Sequence, residues 1–181
     1  GVSAQDFTGV QPAALDQPRI YVNLRREPTG PAMTAKVDGQ ADSAVECFLD
    51  TGASSVVLSA GTTKGLGIKH EMTMEGTPVK YEDVGVGGGE AFEVSEPLYA
   101  STATYSGSTD GSNAADYSQP VGPIRAEVRP SASLLETLTG DLDVAGMPVI
   151  LHHVMVMDAR PVNKFTDKIK TSLVAQGSRE I

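Results

Sequence analysis

From residue 19 onward the chain breaks into short runs in which apolar and polar positions alternate. Ile20, Val22 and Leu24 alternate with Tyr21 and Asn23, the period of a strand with one buried face. Glu27-Pro28-Thr29-Gly30-Pro31 then reads as a turn and residues 32–37 as a second strand. Asp38-Gly39 reads as a hairpin turn, because both central positions of the favoured turn take positive φ. The return strand, residues 44–49, runs straight into Asp50-Thr51-Gly52. Residues 59–67 predict a short helix, weakened by Gly61 and two threonines. A second hairpin follows, with residues 81–86 and 91–94 flanking Gly87, Gly88 and Gly89, a tip free to bend and approach another backbone.

Farther along, Ile124, Ala126 and Val128 restore the strand period. Ser133-Leu134-Leu135-Glu136 has the spacing of a helix capping box, with Gly140 as the stop. Pro148 suits the first turn of another short helix reaching about His152, and residues 154–157 read as a closing strand. Phe165, Ile169 and Leu173 lie at i, i+4 and i+8, with Lys164, Lys168 and Lys170 elsewhere in the run and Gly177 beyond, which predicts an amphipathic C-terminal helix. The class that follows is all-β, with short helices and one helix at the C-terminus.

The organisation has three parts. Residues 1–18 carry Pro12 and Pro18 with no sustained period and read as an N-terminal arm. Residues 19–160 form the main domain, with a Ser-, Thr-, Gly-, Asn- and Asp-rich insertion over residues 101–119 that suits a surface loop or a long hairpin turning at Asp110-Gly111. Residues 161–181 form the C-terminal helix and tail. The 181 residues suit one domain and not two full lobes.

Charge narrows the partners. With 14 Lys+Arg against 23 Asp+Glu the net charge is −9, and no basic cluster exists to neutralise phosphates, so nucleic acid is not an expected partner. The most apolar stretch, residues 145–157, is broken by His152 and His153 and is shorter than the roughly 20 residues of a spanning helix. No membrane span is expected. The lone Cys47 excludes an intrachain disulfide and four-cysteine zinc sites. A start at Gly1 in place of Met points to a removed upstream segment, a signal or a tag, and favours a periplasmic or extracellular protein over a cytoplasmic one.

The segment richest in chemistry is Phe48-Leu49-Asp50-Thr51-Gly52-Ala53-Ser54-Ser55-Val56-Val57-Leu58. An apolar strand delivers a carboxylate, a glycine permits a tight turn after it, and small polar residues lead into a second apolar strand. With the hairpin before it, the Gly-rich hairpin after it and the later Val144-Ala145-Gly146, the segment resembles the retropepsin-like branch of the aspartic proteases, the single-domain bacterial type with a Leu-Asp-Thr-Gly-Ala-Ser motif. The resemblance runs from about Ile20 to about Arg160. It implies a closed β-barrel of the acid-protease fold, one lobe per chain, and an endopeptidase that uses no cofactor and no metal. Two carboxylates are needed, one to take a proton from water and one to polarise the scissile carbonyl. Since one Asp-(Ser/Thr)-Gly exists here, the second Asp50 has to come from another copy of the chain, making a homodimer with a two-fold axis through the site.

The resemblance assigns catalysis to Asp50, the bracing of the two loops to Thr51, and their close approach to Gly52. Ala53, Ser54 and Gly146 support the site, and Gly87, Gly88 and Gly89 form the tip of a flap that closes over an extended peptide. Ala145 stands where the family usually carries a bulky aliphatic residue. The insertion and the C-terminal helix have no counterpart in the family.

Blander readings stand beside this one. A catalytically inactive peptide-binding module of the same fold, or an unrelated β-sandwich with Asp50 capping a turn, also accommodates the motif. The glycines lack the order of a nucleotide-binding loop. His152 and His153 diverge too widely to share an ion with Asp158 and read as helix-end or surface histidines, while His70 stands alone. Cys47 reads as a small buried residue, Met147, Met155 and Met157 as core or interface filler, and Glu90, Glu93 and Glu96 as a solvated face that favours basic peptides.

Overall fold

Strand β1 (Arg19–Arg25) forms because Ile20, Val22 and Leu24 share one face and all three are buried in the core. In the computed structural model, which describes residues 19–37, 40–85, 88–103, 116–129, 143–151, 153–158 and 170–175, β1 lies between two antiparallel neighbours, β4 (Ala44–Leu49) and β8 (Leu98–Ala103). Its other face is unexpectedly buried as well. Asn23 is fully buried and Arg25 nearly so. Arg25 donates from Nη1 to Ser101 Oγ (2.6 Å) and from Nη2 to Asp116, while Asn23 Nδ2 donates to Asp116 Oδ1 (3.0 Å).

Asp116 belongs to the stretch read from sequence as a surface insertion. Its ends are tied down by a bridge to Ala103 and by Tyr117 N–H donating to Thr102 O (2.7 Å), and residues 104–115 lie outside the described part. Burial pushes the Asp116 carboxyl up, but hydrogen bonds from Arg25, Ser101 and Asn23 outweigh it and hold the group below the usual carboxylate range.

Two further readings are corrected: residues 101–103, the start of the expected insertion, are strand residues of β8 with Ser101 and Thr102 buried, and the strand expected over Ile124, Ala126 and Val128 is two strands, Val121–Ile124 and Glu127–Val128, with different partners. Strands β2 (Ala35–Val37) and β3 (Gln40–Asp42) pair with Val37 opposite Gln40, the register of a two-residue turn; Asp38 and Gly39 themselves lie outside the described residues. After β5 (Val57–Leu58), helix α1 (Ala60–Leu66) is capped by the Ser59 hydroxyl, which accepts from Thr62 N–H, and it ends at Gly67 in the left-handed conformation. The Gly-rich hairpin is β6 (Lys80–Gly85) and β7 (Gly88–Val94). Gly85 pairs with Gly88 and Val84 with Gly89, so Gly88 and Gly89 are strand residues and the turn is shorter than the three-glycine tip expected.

Strands β9 (Val121–Ile124), β10 (Glu127–Val128) and β11 (Asp143–Ala145) follow, then helix α2 (Met147–Ile150), with its proline in the first turn, and β12 (His153–Asp158). The helix expected to end at Gly140 falls outside the described residues, as do the N-terminal arm, Gly87 and His152.

The C-terminal helix is a misreading over the residues described. Lys170–Ala175 is a strand, β13, paired antiparallel with β12 from Asp158↔Lys170 to His153↔Ala175. Thr171 and Val174 are β-branched, and the Val-rich β12 offers them a pairing edge; that long-range partner overrides the helical spacing of Phe165, Ile169 and Leu173. The rest of residues 161–181 lies outside the described part.

The chain is mostly β. A nine-stranded sheet, ordered β6-β7-β10-β5-β11-β4-β1-β8-β9, curls into a half-barrel around a core that includes Val22, Leu24, Leu49, Leu58, Leu98, Ala145 and Val149. Its outer strands, β6 and β9, are not neighbours, so among the described residues the sheet is open where a closed barrel was expected. No described helix is long and apolar enough to cross a membrane.

Candidate active site

The loop carrying Asp50 joins β4 to β5, and β11 lies between those two strands, parallel to β4 and antiparallel to β5. Ala145 is paired with Leu49, and Val144 with both Phe48 and Val57. The loop therefore wraps around the C-terminal end of β11; its first residue is hydrogen-bonded to that strand and its middle to the first residue of α2. Asp50 N–H donates to Ala145 O (3.1 Å), and Met147 N–H donates to Ala53 O (2.9 Å). Between these two bonds sits Gly146, where a Cβ would lie 2.0 Å from Ser55 O and 2.6 Å from Ala53 O. Glycine is required there because the loop backbone occupies the space of a side chain.

Within the loop, Ala53 N–H donates to Asp50 O (3.3 Å), closing a turn over residues 50–53. Gly52 N–H donates to Asp50 Oδ1 (2.8 Å), which fixes the carboxylate over the turn. A Cβ on Gly52 would press on that same oxygen at 3.2 Å. Asp50 is half-buried, whereas Thr51, Gly52 and Ser54 are exposed and Ala53 is half-buried. The structure thus brings Asp50, Thr51, Gly52, Ala53, Ser54 and Gly146 together on one rigid loop edge. Ala145, the small residue in that motif, is fully buried behind it.

The hairpin glycines are not part of this cluster among the described residues. The base of the β6–β7 hairpin joins the loop's strand through β10, with Glu127 opposite both Val94 and Val57. Tyr81 and Phe92 pair across the hairpin with ring centroids 6.2 Å apart. Gly88 and Gly89 lie at its far end, and a Cβ on Gly89 would meet nothing within 4 Å.

Two carboxylates missed by the sequence reading tie down the loop and the start of the helix that follows it. Glu127 accepts a hydrogen bond from Ser55 Oγ, and its backbone N–H donates to Val56 O (2.8 Å), so it braces the C-terminal half of the loop. In the sequence it reads as the outward residue between Ala126 and Val128, and nothing local marks the loop as its neighbour. Asp143 is buried at the start of β11, where Oδ1 accepts from Ser59 N–H (2.7 Å) and Oδ2 from Thr62 Oγ1 (2.6 Å). Its position directly before an apolar-apolar-Gly run was the available signal: a carboxylate at the mouth of a buried strand needs partners.

Burial pushes the Asp143 carboxyl above the usual carboxylate range, against the pull of Thr62, Ser59 and Arg129. The folded protein therefore holds this proton to higher pH than the unfolded chain does. The contribution of Asp143 to stability is full below the unfolded carboxylate pKa of about 4 and declines as pH rises through the raised folded value. Asn at this position keeps an acceptor for Ser59 N–H without titrating. The stability of the wild type minus that of Asp143→Asn, read from urea denaturation, is expected to fall between pH about 4 and neutrality; a flat or rising difference contradicts the assignment.

The other candidates resolve into structural roles. Cys47 is buried beside Asp143 in the β4–β11 register, and burial pushes its thiol well up, which keeps it protonated and unreactive near neutral pH. His153, the first residue of β12, is buried with Nδ1 at 2.8 Å from Val149 O of α2. His70 is not isolated: its Nδ1 lies 2.8 Å from Glu93 Oε2. Glu93 and Glu96 are correspondingly more than a solvated face, since Glu93 also faces Lys80 and Glu96 holds Arg26 and Lys69 N–H. No group of three or more His, Cys, Asp or Glu side chains able to hold a metal ion exists among the described residues. No protein-family model matches the chain, and no curated protein matches it.

Proposed function

We propose that the chain is a retropepsin-like aspartic endopeptidase that works as a homodimer, each protomer contributing one Asp50. The observation that carries this reading is the clasp between two distant parts of the sequence, in which Gly146 seats the Asp50-Thr51-Gly52 turn against the end of β11. That clasp holds a half-buried carboxylate at the edge of an exposed, side-chain-poor turn. Such an edge suits close approach by an identical turn, because Thr51 and Gly52 present little bulk to a partner.

In the paired site one Asp50 carboxylate takes a proton from a water held between the two. The water attacks the scissile carbonyl while the second Asp50, as the acid, donates to the carbonyl oxygen. The tetrahedral species then collapses as a proton passes to the leaving amine. The β6–β7 hairpin supplies the cover, offering main-chain groups to an extended substrate as an added strand does. Glu127 acts through Ser55 as a positioning residue for the loop.

The stoichiometry of a transition-state mimic tests this reading. A peptide with a hydroxyl-bearing carbon in place of the scissile carbonyl is expected to bind once per two chains in calorimetry and to raise the dimer fraction in sedimentation. Binding once per chain, or no binding with the dimer present, contradicts it.

A further inference from the structure

The chain between α1 and β6 makes a second, smaller hairpin that the proposed mechanism leaves unused. Glu71 N–H donates to Val94 O (2.7 Å) and Val79 N–H donates to Glu71 O (2.8 Å), so the segment is tied to the end of β7 and folds back on itself. Met72 bridges Pro78, Thr73 N–H donates to Thr77 O (2.8 Å), and Gly76 N–H donates to Thr73 O (3.0 Å). Gly76 takes a φ of 79°, the left-handed conformation that closes such a short loop. The Thr73 and Thr77 hydroxyls, 2.8 Å apart, join the two arms. A well-bonded turn thus holds Met74 at its tip.

Two methionines project from this turn. Met72 is 54% exposed and Met74 107%, whereas Met33 is buried and Met147 half-buried, the ordinary places for an apolar thioether. His70 stands two positions before Met72. The bridges of His70 to Ser95 and of Met72 to Pro78 mark both residues as extended, so their side chains leave one face of the chain, about 7 Å apart at the backbone. Met74 follows two positions on, and its three rotatable bonds let its sulfur swing to the same side. One short hairpin therefore gathers an imidazole and two thioethers.

The imidazole is already set as a ligand. His70 Nδ1 is buried 2.8 Å from Glu93 Oε2. The contact is not aligned as a hydrogen bond, yet a carboxylate at that distance favours the tautomer with its proton on Nδ1, because two facing acceptors repel. Nε2 then keeps its lone pair. A carboxylate behind the ring, fixing its tautomer and orientation, is the arrangement that accompanies metal-binding histidines. Glu71, the carboxylate between His70 and Met72, is paired with Arg125 and does not compete as a hard ligand.

We propose that His70, Met72 and Met74 form a site for a soft monovalent cation, copper(I), bound through His70 Nε2 and the two thioether sulfurs. Thioethers select soft cations, whereas calcium and magnesium require oxygen ligands. The site is compatible with the lack of a His, Cys, Asp and Glu cluster among the described residues, because two of its three ligands are methionines. It stands apart from the protease reading.

Silver(I), equally soft and redox-inert here, is the probe. With the methionine methyl groups labelled with carbon-13, silver(I) is expected to shift the Met72 and Met74 signals to saturation and to leave that of buried Met33 in place. Calcium is expected to shift none of them, and copper(I), kept reduced without oxygen, to compete with silver. Met72→Leu and Met74→Leu, both at exposed positions, are expected to keep the thermal melt and each to weaken silver binding about tenfold or more. His70→Gln is expected to weaken it as much. Affinity is read at the remaining methionine methyls of the turn, which separates the site from the buried Cys47 thiol. The proposal is overturned if silver gives no saturable shift at both methyls, if calcium shifts them equally, if copper(I) does not compete, or if any of the three variants binds silver as the wild type does.

Discussion

Asp50→Asn is expected to lower peptide hydrolysis by at least about 10³-fold while leaving the fold in place. The loss follows from chemistry: an amide neither takes a proton from water nor presents an acid to the scissile carbonyl. Retention of the fold follows from the geometry around the residue. The carboxylate oxygen that accepts Gly52 N–H is matched by the amide oxygen of Asn. The backbone bonds from Asp50 N–H to Ala145 O and from Ala53 N–H to Asp50 O do not depend on the side chain. Activity and melting temperature measured on the same preparation check both halves. An Asn variant that cleaves peptide at the wild-type rate removes Asp50 from the mechanism.

The second large effect is structural. Gly146→Ala is expected to destabilise the protein by about 3 kcal/mol or more, because its Cβ would lie 2.0 Å from Ser55 O, 2.6 Å from Ala53 O and 3.0 Å from Ala53 Cβ. Relief by backbone movement would stretch the bonds from Met147 N–H to Ala53 O and from Asp50 N–H to Ala145 O, which hold the turn. The control is Gly89→Ala in the hairpin, where an added Cβ meets nothing within 4 Å and the change should stay within about 0.5 kcal/mol. Urea midpoints of the two variants make the comparison, and equal midpoints would show that the clasp does not constrain the loop.

Where the determinants were local, the sequence revealed them. The alternation of Val45, Cys47 and Leu49 marks the strand that delivers Asp50; Ser59 and Gly67 mark the two ends of α1; Pro148 marks the first turn of α2. Long-range partnerships were hidden. Asn23 and Arg25 read as outward-facing positions because Asp116, which buries and satisfies them, comes some ninety positions later in the chain. Glu127 lacked any local sign of Ser55 for the same reason. At the C-terminus, Leu173 fits a helical period as well as a strand period, and pairing with β12 decides between them. The candidate site was legible as a motif, but its rigidity was not: that comes from β11 entering between β4 and β5, a topology no run of residues encodes by itself.

The central claim is that catalysis needs two copies of Asp50. Subunit mixing tests it most directly, using wild-type chain titrated with Asp50→Asn chain under conditions of exchange and an unfolded protein such as casein as substrate. If each active site is built from two chains, activity per wild-type chain falls in proportion to the wild-type fraction of the mixture, since mixed dimers carry a single carboxylate. Activity per wild-type chain that stays constant, however much of the Asn variant is added, contradicts the account.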